Sequence, residues 1–394
     1  MHTKHVFYLI IAYLMVGQLG ETIYLPVMPH LMRIFHTNEM HVQLILSAFM
    51  TAFGLSHFIY GPLSDHFGRR PVVLISLLGF IGSAILATCA WSIYVLIFAS
   101  FSMGATIGAA GLMARTAVRD LYSGAALHKA TAAVGVAVVF VPMVAPVLGA
   151  YLYVYLGWRA IFGFFLLSGL VIFLSMWHHF PETNRYLGQG KFKLKRVKDD
   201  YHKILHSRTF LSYTICGTIN VAMMMVYEIA APFIFQETMG YSVTSYAWIS
   251  LMPVLGFLFG AKLSSPLASA IGLRRAVVLG NLLSFPGVFA LLYYGCVGPL
   301  TLWTVMIPLE LVWIGSGILF SLTMAGALMP FSTEAGVAGA VLGGLTNLVA
   351  GISTAVASYS GDLSVQNLAC IFLGACVASL VSAMLVPNEA GVLS

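Results

Sequence analysis

Three carboxylates fall inside long apolar runs of this 394-residue chain: Glu21, Glu228 and Glu310. Ionisable side chains are expensive in hydrocarbon, and where they occur they mark ion pathways, proton relays or counter-charges for a ligand. Glu21 shares a helical face with Gly17, Tyr24 and Met28, at i−4, i+3 and i+7, and Gln18 adjoins that stripe. A carboxyl so placed can bind a proton at one face of a membrane and release it at the other, which proton-coupled exchange requires. Glu228 lies on a second stripe with Asn220, Met224 and Tyr227. Glu310 precedes Trp313 by one helical turn, and acid plus aromatic is a good grip for a lipophilic cation. Each site has a plainer rival reading. Glu21 can be a protonated acid bonded between helices, Glu228 can be solvated near a membrane face, and Pro308 can admit water to Glu310.

The second cluster is polar: Gly61-Pro62-Leu63-Ser64-Asp65-His66-Phe67-Gly68-Arg69-Arg70-Pro71, set between two apolar runs. A short connection between two spans does not need this density of charge and glycine. Gly61 and Gly68 allow turns or close backbone approach. Asp65 can face a helix N-terminus or pair with an arginine. Arg69 and Arg70 hold the connection on the cytoplasmic side. Arg115, Arg119 and Asp120 form a further charged group at the end of the fourth apolar run.

These residues need apolar elements to carry them, and the composition supplies little else. The chain is 60% hydrophobic and 8% charged, with a mean hydropathy of +0.93. A soluble protein carries about 25% charged residues, so this is a polytopic membrane protein. Twelve runs are long enough to span, beginning near Val6, Val42, Val72, Ile93, Thr131, Ala160, Phe210, Ser242, Ala276, Leu300, Gly336 and Asn367. With both ends cytoplasmic, only Arg33 and Arg159 of the 19 basic residues fall on the far side. The basic excess (net +6) is then a topology signal, and no nucleic-acid partner is expected. The longest polar stretch, 181–208, carries Lys191, Lys193, Lys195, Arg196, Lys198 and Lys203. It reads as a basic connector at the anionic inner leaflet, with room for a short surface helix. It separates an N-terminal bundle, 1–180, from a C-terminal bundle, 209–394. The two halves echo each other: Leu267-Ala268-Ser269-Ala270-Ile271-Gly272, followed by Arg274 and Arg275, resembles Leu63 to Arg70 at a displacement of 204.

The five cysteines are scattered without a CxxC, and His30, His36 and His41 read as solvated loop residues. No metal, no cofactor beyond a proton gradient and no cleavable leader are expected, and nothing demands more than a monomer. Met223-Met224-Met225 and the many aromatics suit either lipid-facing packing or a pocket that accepts many shapes.

GPLSDHFGRR resembles the loop between helices two and three of the major facilitator superfamily, at Gly61, Leu63, Asp65, Gly68, Arg69 and Arg70. The resemblance implies an all-α membrane fold of twelve helices in two pseudo-symmetric six-helix bundles. It also implies a conformational latch at this loop, joined by Asp120 and flanked by Arg115. Pro142, Pro146 and Gly149 resemble the proline–glycine signature of antiporters in helix five. Trp158 to Phe162, Pro181-Glu182-Thr183 and Met113 to Thr116 resemble the drug:H+ antiporters of the Bcr/CflA and EmrD-like branch. Where many antiporters carry arginine and glutamine in helix four, this chain has Ser100 and Met103.

The expected function is proton-coupled export of amphipathic small molecules across a cell's inner membrane, by a transporter and not an enzyme. Gln18, Glu21, Tyr24, Asn220, Met224, Tyr227, Glu228 and Trp313 are the expected cargo contacts. A rival is the same fold exporting one dedicated metabolite, such as a siderophore or sugar. An intramembrane enzyme is remote, because no GxSxG, HExxH or Walker-type loop occurs. The latch and the repeat disfavour a channel.

Overall fold

In hydrocarbon every backbone N–H and C=O must find its partner inside the chain, so apolar runs of this length fold as helices. The computed structural model describes residues 2–184, 194–331, 335–361 and 363–386. Twelve helical segments among them are long and apolar enough to cross a membrane. In the first half these are His5–Ile34, Glu39–Phe67, Arg69–Thr88, Ile93–Leu121, Gly124–Leu156 and Arg159–His179. In the second half they are Arg208–Thr238, Val243–Ile271, Leu273–Cys296, Leu302–Leu328, Gly336–Tyr359 and Val365–Met384. They are called spans one to twelve below. Each expected span is found, usually starting a few residues early. Span five begins at Gly124 rather than near Thr131, because its polar first turns remain helical.

Several starts are set by side-chain caps that accept an otherwise unmet backbone N–H. Asn38 accepts from His41 N at 3.1 Å, Ser242 accepts from Ser245 N at 3.1 Å, and Thr301 forms a capping box with Thr304. Large aromatics are exposed near span ends: Trp91, Tyr94, Tyr155, Trp177, Trp303 and Tyr359. That is where amphipathic rings meet the membrane–water boundary.

The chain divides into two compact units, Met1–Val197 and Lys198–Ser394. In the first, span one packs on spans four, five and six, while span two packs on span four and span three on span six. In the second, span ten packs against spans eight and nine, and span seven against spans eleven and twelve. The connector contains a helix, Leu194–Leu205. Lys191 and Lys193 lie outside the described residues, as do the side chains of Lys195, Arg196 and Lys198.

Candidate functional site

The two acid-bearing spans at the start of each half both depart from the regular α-helix just beyond their acids. In span one the α-helix ends at Thr22, a short 3-10 turn runs Leu25–Val27, and helix resumes at Met28. Pro26 has no N–H for the carbonyl of Thr22, which accounts for the stop. The stripe expected from Gly17 through Glu21 and Tyr24 to Met28 therefore does not continue along one helix. In span seven, Pro232 likewise deprives the carbonyl of Glu228, and a π-helical turn follows at Phe233–Thr238. A helix break like that of span one lines ion and substrate sites in transporters, and a π-helical turn inside a helix is frequent at functional sites.

Glu21 is buried, at 9% exposure, and Glu228 is half-buried. Neither has a hydrogen-bond or ion-pair partner among the described residues. Tyr24 stacks on Phe162 of span six, with ring centroids 6.4 Å apart, and its buried hydroxyl has no hydrogen-bond partner among the described residues. In the second half Tyr227 meets Trp313 edge to face at 5.4 Å, and the buried Tyr227 hydroxyl likewise has no hydrogen-bond partner among the described residues. Tyr227 lies within electrostatic reach of both Glu228 and Glu310. Glu310 is half-buried and its carboxylate lies against Gly256 in span eight, where a Cβ would overlap Oε2. Trp313 is thus packed on Tyr227, and Glu310 leans on a neighbouring helix. Met224 is half-buried.

Two of the expected cargo contacts are turned to other partners. Asn220 is buried and donates to the carbonyl of Ser316 in span ten at 3.2 Å. It lines a small cavity inside the second bundle with Asn281, Ser284, Cys376 and Ser379. Gln18 is buried and donates through Nε2 to the carbonyl of Val138 in span five at 3.4 Å. Span five comes this close because Gly149 has no side chain: a Cβ there would collide with the carbonyl of Ile23. Pro142 and Pro146 both lie within the span-five helix.

The charged cluster is assembled at one end of the first bundle. Span two ends at Phe67 and span three begins at Arg69, joined by Gly68 alone at φ 97°. That is a left-handed conformation that side chains resist. Arg69 is buried and donates from Nη1 to Asp65 Oδ1 and to Ser64 Oγ, each at 2.6 Å. Its Nε points at Asp120 Oδ2 of span four at 3.5 Å. Asp65, Arg69 and Asp120 are therefore together. Gly61 sits one turn earlier on span two, where its carbonyl accepts from Ser64 Oγ at 2.9 Å. Arg70 donates to the carbonyl of Trp177, at the end of span six, at 2.8 Å. Arg115 is exposed and makes no hydrogen bond or ion pair among the described residues, so it stands apart from the cluster.

One member was not legible as a participant. Glu182, just beyond span six, accepts from the backbone N–H of Arg69 at 2.9 Å and of Arg70 at 3.1 Å, and from Asn184 N at 2.8 Å. Its carboxylate caps the first turn of span three, where unmet N–H groups and the helix dipole favour an anion. A Cβ on Gly68 would overlap Glu182 Oε2, so the glycine serves the carboxylate as well as the turn. Thr183 donates to Asp120 Oδ2 at 3.5 Å and Asn184 Nδ2 to the carbonyl of Asp65 at 3.2 Å. The only sequence signal for this was the Pro181-Glu182-Thr183 triplet, which indicates no long-range partner.

The family model described as the Major Facilitator Superfamily matches residues 10–358. "Multidrug resistance protein D" of Escherichia coli (strain K12) is 30% identical over 86% of this chain and 84% of its own length. "Chloramphenicol resistance protein" of Pseudomonas aeruginosa is 28% identical over 87% of this chain and 81% of its own. Among solved structures, a D-xylose-proton symporter superposes with a TM-score of 0.75 at 15% identity, covering 99% of both chains. The human organic anion transporter MFSD10 superposes with a TM-score of 0.70 at 19% identity, over 98% of this chain and 100% of that one. Fold, span count and family match agree: the chain belongs to the major facilitator superfamily, whose members are transporters of small molecules and not enzymes.

Proposed function

We propose that this transporter is a proton-coupled antiporter that exports amphipathic small molecules, cationic or neutral, by alternating access. The observation that carries this reading is the placement of Glu21 and Glu228. Each lies on the first span of its half, each sits one turn before a proline at which the α-helix ends or gives way to another helical form, and neither has a cationic partner among the described residues. A proton is the counter-charge available to such a carboxyl, and exchanging it for cargo couples the two flows. The aromatic faces of Tyr227 and Trp313, with Glu310 in the same bundle, supply contacts for a lipophilic cation. Similarity to proteins named for multidrug and chloramphenicol resistance supports a drug-like cargo. In this reading the proton gradient is the sole energy source, the protein works as a monomer in the inner membrane, and the basic connector and both termini face the cytoplasm.

The test is transport by purified protein in liposomes carrying an imposed pH gradient, with tetraphenylphosphonium and chloramphenicol as probes. Probe movement should follow the gradient and collapse with a protonophore. Glu21→Gln should abolish gradient-driven movement while the protein remains monodisperse. Normal export by that variant removes Glu21 from the mechanism.

A further inference from the structure

Pro142 and Pro146 lie four residues apart in span five, and each withholds a hydrogen bond from the residue one turn before it. Pro142 has no N–H for the carbonyl of Val138, and Pro146 has none for the carbonyl of Pro142. Two acceptors are thus left bare inside a membrane span, where an unmet carbonyl is costly. Span one supplies both donors. Gln18 Nε2 donates to Val138 O at 3.4 Å, and Thr22 Oγ1 donates to Pro142 O at 2.7 Å. Gln18 and Thr22 are themselves four residues apart, so two rungs of equal spacing join the helices. Beyond them, Gly149 admits the carbonyl of Ile23 into direct contact with span five.

Glu21 sits between the two rungs. It also sits in the last turn of its helix, which stops at Thr22. A terminal turn frays unless something outside holds it. Gln18 and Thr22, one on each side of the acid, are the side chains that hold it, and both are buried, at 7% and 4% exposure.

We propose that Gln18 and Thr22 are positioning residues: they dock on the two proline-freed carbonyls of span five and so fix where Glu21 points, without contacting cargo. This rests on the reading of Glu21 as the proton carrier. It reassigns Gln18 from cargo contact to clasp, and it gives the paired prolines the task of exposing the acceptors.

The prolines provide their own control. Pro146→Ala restores an N–H at position 146, which can bond Pro142 O within the helix and make the Thr22 donor redundant. In liposomes with a pH gradient and tetraphenylphosphonium as probe, Thr22→Val should lower kcat about tenfold, with KM changed less than about twofold. It should also displace the pH profile of export. Thr22→Ser should restore both. In the Pro146→Ala background, Thr22→Val should cost less than about twofold, a non-additivity characteristic of partners in one interaction. Gln18→Leu with Pro142→Ala should repeat the pattern with smaller amplitude, because its bond is longer. An undiminished cost of Thr22→Val beside Pro146→Ala, or a change confined to KM, overturns the proposal. If Glu21→Gln exports normally, the proton-carrier reading falls and takes this one with it. If Glu21→Gln is inert and the cycle shows no coupling, the clasp alone falls.

Discussion

Gly68 and Gly272 stand 204 positions apart and adopt the same left-handed backbone, with φ 97° and 85°. Each is the single residue between its half's second and third spans. The bonds around them match as well. Gly68 N donates to Ser64 O at 3.2 Å, and Gly272 N to Ala268 O at 2.9 Å. Arg70 ties the turn to Trp177 O at the end of span six at 2.8 Å, and Arg274 ties its turn to Met384 O at the end of span twelve at 2.7 Å. What differs is the ionic cluster. Ser64, Asp65 and Arg69 of the first half are replaced, at the same displacement, by Ala268, Ser269 and Leu273. The second half makes the turn without them, so the turn itself does not require the cluster. Its presence in one half points to a task other than folding that half. A conformational latch, biased by proton or cargo binding, is such a task.

The largest expected effect is at the glycines. Gly68→Ala forces a side chain into a positive-φ, extended-ψ region that is essentially glycine's alone, at about 1–3 kcal/mol, and drives Glu182 off the first turn of span three, at about 0.5–2 kcal/mol for a lost helix cap. Thermal unfolding in detergent should register the sum. Gly272→Ala should show at least the strain component. Equal losses at the two glycines would mean that Glu182 gives Gly68 no burden that the second turn lacks.

The next effect separates stability from turnover. The Asp65 side chain is 65% exposed, so its pair with Arg69 contributes less than about 1 kcal/mol to stability. Asp65→Asn should therefore leave thermal unfolding almost unmoved while slowing export several-fold, with probe binding retained. If unfolding drops as far as in Gly68→Ala, the cluster is a structural brace and the contrast between the halves loses its functional meaning.

These contrasts also mark how far the sequence could be read. The twelve spans were visible because hydrocarbon leaves charge few places to go, and the turn was visible because glycine and arginine have few reasons to sit together in an apolar chain. Asp65 and Arg69 are one helical turn apart, a distance that sequence displays. Glu182 is not: it reaches Arg69 across 113 positions and bonds backbone atoms, which carry no sequence signature. The partner of Gln18 is hidden for a different reason. Its neighbours suggested a stripe facing cargo, whereas its partner is a carbonyl freed by a proline in another span. The matching four-residue spacings of Gln18 with Thr22 and of Pro142 with Pro146 were in the sequence, but which helix lies beside which was not.

Glu182→Gln tests the cap at finer grain. Glutamine keeps one carbonyl oxygen for an N–H but loses the charge that roughly doubles such a bond. A loss of about 1 kcal/mol in unfolding is expected, between those of Gly68→Ala and Asp65→Asn. No loss would show that solvent replaces the carboxylate freely at this exposed position, and that the glycine is there for the turn alone.

A small and equal effect should come from the feature the halves share. Arg70 and Arg274 are both near the surface and each donates to one carbonyl at the end of a last span, so water can take over much of what either removes. Arg70→Ala and Arg274→Ala should each cost about 0.5–1 kcal/mol in thermal unfolding, and the two values should agree within error. Agreement would make the tie a device of the repeated unit, present before the halves diverged in their charges. A clear excess at Arg70 would place it inside the ionic cluster, acting with Glu182 on the same helix start, and would shift the boundary between shared scaffold and one-sided ionic cluster by one residue.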